Sequence, residues 1–205
     1  YLKKCVLELG GSDPFVVLAS ADVDAAVANA VKARVINNGQ SCIAAKRFIV
    51  ASPVYDRFEA AFTEGMRALR VGDPMNENVD VGPLATRSIR DQLAKQVVDS
   101  LAAGARLVLG GRPADDGGHY YPRTVLADVP AHAPAAREEL FGPVAALFRV
   151  AGADEAIAVA NATRFGLGAS VWTRDRAEAE RFARELEVGS VFVNGMVVSD
   201  TRFPF

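Results

Sequence analysis

Short apolar runs alternate with helical segments along most of the chain, and this alternation restricts the fold more than any other feature. Residues 5–9 (CVLEL), 15–18 (FVVL), 47–51 (RFIVA), 106–111 (RLVLGG), 143–150 (PVAALFRV), 169–173 (ASVWT) and 190–194 (SVFVN) read as strands. Residues 22–36 carry apolar side chains at 23, 27, 30/31 and 35, a helical period, and residues 53–70, 86–104, 153–163 and 174–187 read as further helices. Asp22 and Asp24 suit a helix start, Pro53 a first turn and Gly104 a helix end. Strands separated by helices of this length predict an α/β chain, a layered αβα domain with a largely parallel sheet. No repeat, low-complexity stretch or linker interrupts it, so residues 1–205 read as a single domain.

Composition removes several functions. The 205 residues are half hydrophobic, and 23 basic against 25 acidic residues leave a net charge of -2. Without a basic run, nucleic acid is not an expected partner. No apolar run reaches the roughly 20 residues a membrane helix needs, so no membrane contact is expected. Cys5 and Cys42 are too few for a disulfide scaffold and lack zinc-ligand spacing; His119 and His132 lie in loops, so no metal is expected. A cytoplasmic location is the expectation. The chain starts at Tyr1, has its first methionine at Met66 and ends in TRFPF, which reads as a piece of a longer protein.

The chemistry concentrates in three stretches. NNGQSCIAAKR (37–47) puts Cys42 in a small, polar, glycine-containing loop, where Lys46 and Arg47 are expected to favour the thiolate. Two readings stand, a reactive thiol and a small buried hydrophobe. Glu8 interrupts the first apolar run and is either a partly desolvated general base or a solvated carboxylate. If the GGSDP turn (10–14) reverses the chain between two strands, the helix 22–36, about 22 Å long, returns the Cys42 loop to the Glu8 end. In REELFGPV (137–144), Glu139 and Phe141 either face a ligand or form a solvated acid beside a core ring. GLGASV (166–171) lacks the third glycine of a dinucleotide fingerprint and precedes a strand, so it is not one.

Taken together, LELGGSDPFVV, NNGQSCIAAKR, EELFGPV, GLGASVWT and GSVFVNG followed by PF resemble, in order, the signature segments of the aldehyde dehydrogenase superfamily; Cys42 follows Glu8 by 34 residues, as in that family. LKKCVLELGGSDPF and AAKRF are most similar to the bacterial succinate-semialdehyde dehydrogenases. The resemblance covers essentially the whole chain and implies a catalytic domain acting on a small-molecule aldehyde with NAD or NADP. It implies Cys42 as nucleophile, its own N–H as part of the oxyanion site, and Glu8 as the base that activates the hydrolytic water. It further implies Glu139 and Phe141 at the nicotinamide ribose and ring, the Leu9 carbonyl at the carboxamide, and the segment containing Ser199 at the aldehyde entrance. Many succinate-semialdehyde members carry an Arg six residues before the cysteine; here that place is Ile36, and Arg34 is the nearest candidate for a substrate carboxylate. The family's dinucleotide-binding domain and C-terminal oligomerisation segment are not in this sequence, and the full-length enzyme is expected to be a homo-oligomer. The chain alone is therefore not expected to oxidise aldehydes. The competing readings are a non-catalytic structural module of the same fold and a cysteine hydrolase, which would want a histidine base.

Overall fold

The computed structural model describes residues 2–113 and 118–202; RPADDGGHYYP (112–122), whose Gly, Pro and Asp content reads as an exposed loop, lies partly outside them and the terminal PF wholly. The strands are β1 (Asp13–Val17), β2 (Ala45–Ala51), β3 (Arg106–Leu109), β4 (Thr124–Ala127), β5 (Val144–Val150), β6 (Gly168–Trp172) and β7 (Ser190–Val193). The helices are α1 (Val23–Val35), α2 (Ser52–Ala68), α3 (Arg87–Ala102), α4 (Pro134–Arg137), α5 (Ala153–Asn161) and α6 (Arg176–Glu185). Among the described residues they build a seven-stranded sheet in the order β3-β4-β5-β2-β1-β6-β7. Every pairing is parallel except β3 with β4.

The strands are apolar on both faces because helices cover both, as parallel sheets require. Strand alternation sorts the side chains. Phe15, Val17, Phe48 and Val50 point toward α1 and α2, where they pack with Val27, Ala30, Phe58 and Phe62. Val16 and Ile49 point the other way, toward Leu93 and Val97 of α3, Ile157 of α5 and Phe182 of α6. On the first face the rings interlock, with Phe48 and Phe62 centroids 4.7 Å apart and Phe15 stacked on Trp172 at 5.9 Å. Such pairs add about 0.5–1.5 kcal/mol each beyond area burial.

The helix signals behave as their chemistry suggests. The Asp22 side chain accepts from the Ala25 N–H at the start of α1, and Gly104 takes φ +113° just beyond α3. Two elements differ from the sequence reading. β4 and the one-turn α4 emerge from a stretch to which the sequence reading assigns no element: TVLA is only four residues long and gains its stability by pairing with β5. Residues 5–9 form no strand. Residues 2–9 are exposed, with Leu2, Val6, Leu7 and Leu9 open to solvent. An apolar run becomes a strand only where a neighbour completes its hydrogen bonds, and β1 is already flanked by β2 and β6.

Candidate functional site

The loop carrying Cys42 is built by a left-handed run. Directly after α1, Asn37 (φ 49°, ψ 45°) and Asn38 (φ 58°, ψ 24°) both adopt the conformation that, after glycine, asparagine tolerates best. This run turns the chain out of the helix axis. Its position is pinned by the 82–85 loop: the Asn38 Oδ1 accepts from the Gly82 N–H at 2.9 Å, and the Gln40 Oε1 accepts from the Ala85 N–H at 2.8 Å. Cys42 itself is half-buried, and its thiol is free, as is that of the exposed Cys5.

Of the two cations after the cysteine, only Lys46 favours the thiolate, and only in part; both are chiefly bound to backbone carbonyls. The buried Lys46 ammonium turns back and donates to the carbonyls of Ser41 (2.8 Å), Cys42 (3.0 Å) and Ala44 (3.0 Å), and lies 3.4 Å from the Glu139 Oε1. Arg47 donates to the carbonyls of Ser12 (2.9 Å), Val159 (2.8 Å) and Ala160 (2.9 Å). They are structural ties, and the thiol is not held low. Burial pushes the Cys42 thiol up, the Glu8 carboxylate pushes it further, and the Ile43 N–H and the Lys46 charge offset this only in part.

Glu8 and Cys42 therefore interact, but not through two reversed strands. The exposed segment bearing Glu8 runs straight into β1, and its two glycines let it lie between two other parts of the site. A Cβ on Gly10, which has φ +81°, would meet the Glu139 Oε2 at 2.5 Å; one on Gly11 would meet the Cys42 carbonyl oxygen at 2.4 Å. Any side chain there would force apart the carboxylate, the glycine segment and the nucleophile loop. The Gly11 N–H donates to the Glu139 Oε1 at 3.1 Å, fastening the glycine segment to the carboxylate.

Successive side chains of this extended segment point opposite ways, and Glu8 and Leu9 line different cavities. One, of about 770 Å³, is bounded by Glu8, Ile43, Leu167, Val197, Ser199 and Asp200. The other, of about 680 Å³, is bounded by Leu9, Leu93, Glu139, Phe141, Arg164 and Phe165. Both fall in the range of small-molecule sites. Gln96, which the sequence did not single out, holds the corner of the second cavity by donating to the Glu138 Oε2 (2.8 Å) and the Glu139 carbonyl (3.2 Å).

Six of the seven residues singled out from sequence thus surround these two cavities and the loop between them. Arg34 does not. Its guanidinium is fully buried and donates to the carbonyls of Gly39 (2.9 Å) and Val144 (3.2 Å), so it has no surface to offer a substrate. Its spacing foretold this, because residues 27, 30 and 34 share one helix face and all three are buried.

Asp13, at the start of β1, was also missed. It is buried; its Oδ1 accepts from the Gly168 N–H at 3.3 Å, and its Oδ2 has no hydrogen-bond partner among the described residues. Burial raises its pKa to about 7, against the pull of Lys46 and Arg47. The folded value lies above the unfolded 3.8, so folding favours the protonated form. Stability is lost as pH rises from about 4 to about 7 and is flat beyond. Asp13→Asn, neutral throughout, should therefore raise the thermal midpoint relative to the parent more at pH 8 than at pH 5. An equal change at both pH values would show that Asp13 is ionised in the fold.

Among the described residues no cluster of three or more His, Cys, Asp or Glu side chains is arranged to hold a metal, and no helix is long and apolar enough to cross a membrane. The model of the aldehyde dehydrogenase family matches residues 1–205. Succinate-semialdehyde dehydrogenase [NADP(+)] of Mycobacterium avium is 59% identical over 204 residues, covering 100% of this chain and 43% of that protein. The chain thus spans less than half the length of this curated relative. The crystal structure of succinate-semialdehyde dehydrogenase from Burkholderia pseudomallei superposes with a TM-score of 0.95 at 39% identity, over 100% of this chain and 42% of that one. Lactaldehyde dehydrogenase from Escherichia coli gives 0.93 at 34%, over 95% and 41%.

Proposed function

The chain belongs to the aldehyde dehydrogenase family, and from that premise we propose that it is the catalytic domain of an NADP-dependent enzyme that oxidises succinate semialdehyde to the dicarboxylate, its dinucleotide-binding domain lying outside these 205 residues. The observation that carries the reading is the division of the site. Neighbouring residues Glu8 and Leu9 face separate cavities, and the Cys42 loop is packed between them.

The cavity beside Glu8 takes the aldehyde. The Cys42 thiolate attacks its carbonyl carbon, and the Cys42 N–H donates to the oxyanion of the resulting thiohemiacetal. The second cavity suits a ribosyl-nicotinamide: the Glu139 carboxylate is an acceptor for sugar hydroxyls, and Phe141 and Phe165 give the walls flat apolar surface. NADP, when bound, supplies the acceptor for the hydride that leaves the thiohemiacetal. Glu8 then takes a proton from the water that attacks the Cys42 thioester, which releases the carboxylate and regenerates the thiolate. Glu8 is exposed in this chain and open to such a water.

The choice of aldehyde and cofactor rests on the relatives so named, at 55–59% identity across the chain. Ser199 gives the first cavity a hydroxyl for the distal carboxylate, and among its described lining residues there is no Lys or Arg. The test is a panel of aldehydes with NADP and NAD on the complete enzyme, followed at the absorbance of the reduced cofactor. The expected result is the highest kcat/KM for succinate semialdehyde with NADP. Higher kcat/KM for an uncharged aldehyde of equal length overturns the substrate assignment.

A further inference from the structure

We propose that Lys46 is a positioning residue of this site: its ammonium fixes the backbone of the Cys42 loop and ties it to the Glu139 carboxylate, so that the nucleophile and the second cavity are set as one unit. The inference rests on the catalytic reading above but concerns a residue that reading does not use.

The geometry is specific. A buried lysine needs its three donor hydrogens satisfied. Lys46 meets that need with three carbonyls from within five residues of itself, those of Ser41, Cys42 and Ala44. The chain must fold over the ammonium to bring them there, which fixes the peptide planes on both sides of Cys42. The direction of the Cys42 N–H and of its Sγ is thereby set. The same ammonium lies 3.4 Å from the Glu139 Oε1, which also accepts from the Gly11 N–H. A displacement of Glu139 by a ligand in its cavity is thus transmitted to the nucleophile loop and to the segment bearing Glu8. Arg47, next along β2, has its own separate carbonyl partners and lacks this link.

The charged groups facing the ammonium are Glu139, Asp13 and Arg34, with Cys42, and beyond it Glu8, across the loop. Burial and Arg34 push the ammonium down to about 8, while Glu139 and Asp13 hold it up. Glu139 therefore also helps keep Lys46 charged near neutral pH.

Lys46→Met keeps the length of the side chain and removes the charge and donors. In the complete enzyme it should move the pH midpoint for iodoacetamide alkylation of Cys42 upward by about one unit, slowing alkylation below that midpoint about tenfold. It should also raise the KM for NADP, and adding Glu139→Gln should raise that KM less than it does in the parent. A folded Lys46→Met protein with the parental alkylation profile, or full additivity with Glu139→Gln, overturns the proposal. If Lys46→Met does not fold, Glu139→Gln alone decides. It leaves the lysine side chain in place yet should slow alkylation at pH 8, because the ammonium loses the partner that keeps it charged and with its charge one of its three donor hydrogens. A parental alkylation profile in that variant also overturns the coupling. Alkylation of Cys42 needs no aldehyde or cofactor, so failure here is distinguishable from failure of the proposed reaction, which shows in Cys42→Ser.

Discussion

Cys42→Ser should lower both p-nitrophenyl acetate hydrolysis and aldehyde oxidation by about 10³-fold or more, while leaving the thermal midpoint almost unchanged. The hydroxyl fits where the half-buried thiol sits, but its oxygen ionises far less readily and is the weaker nucleophile. Cys5→Ser is the matched control: Cys5 is exposed on the segment before β1, so its loss should change neither activity. The ester hydrolysis of the parent enzyme should rise with pH through and beyond the ordinary thiol range, because burial and Glu8 both push the Cys42 thiol up. Ester hydrolysis that survives Cys42→Ser, measured as p-nitrophenolate release, would place the nucleophile elsewhere.

Glu8→Gln should act in two opposite directions. Removing the carboxylate removes one of the three causes that raise the thiol pKa, burial, Glu8 and Asp13, so more thiolate is present at a given pH and alkylation of Cys42 speeds up. The same change removes the base that activates water, so thioester hydrolysis should slow by about 10²–10⁴-fold. In a stopped-flow trace with p-nitrophenyl acetate the initial burst persists and the steady state disappears. A carboxylate that merely sits in solvent would leave burst and steady state in the parental ratio. The pairing of faster alkylation with slower turnover separates a base beside the nucleophile from a residue that only shapes the fold, since a distorted site loses both.

The αβα layering was legible because its signals are local and periodic. The short apolar runs at β1 and β2 and the helical spacing in α1 need only short windows, and Asp22 and Gly104 mark helix ends by their own chemistry. What was misread depends on partners distant in sequence. CVLEL has strand composition but finds no ladder, whereas TVLA, shorter and less distinctive, becomes β4 because β5 lies beside it. The meeting of Glu8 with the Cys42 loop was anticipated, yet through a reversal that does not occur; the contact comes from Gly11 lying against the Cys42 carbonyl. Lys46 shows the limit most directly. Nearness in sequence suggested a charge that favours the thiolate, and the Lys46 charge does so only in part; a four-carbon stem can turn to either side of the backbone, and here it turns to the carbonyls and to Glu139, a residue far along the chain. Asp13 was equally hidden, since its environment is completed by Gly168 of a distant strand.

The central claim is that Cys42 carries the acyl group and Glu8 releases it. The most direct measurement is peptide mass spectrometry of the Glu8→Gln protein quenched shortly after mixing with p-nitrophenyl acetate. The account predicts one acetyl group, on the peptide containing Cys42, that accumulates in Glu8→Gln and is fleeting in the parent. Acetylation found only on Cys5 or on lysines, with Cys42 unmodified, would contradict it.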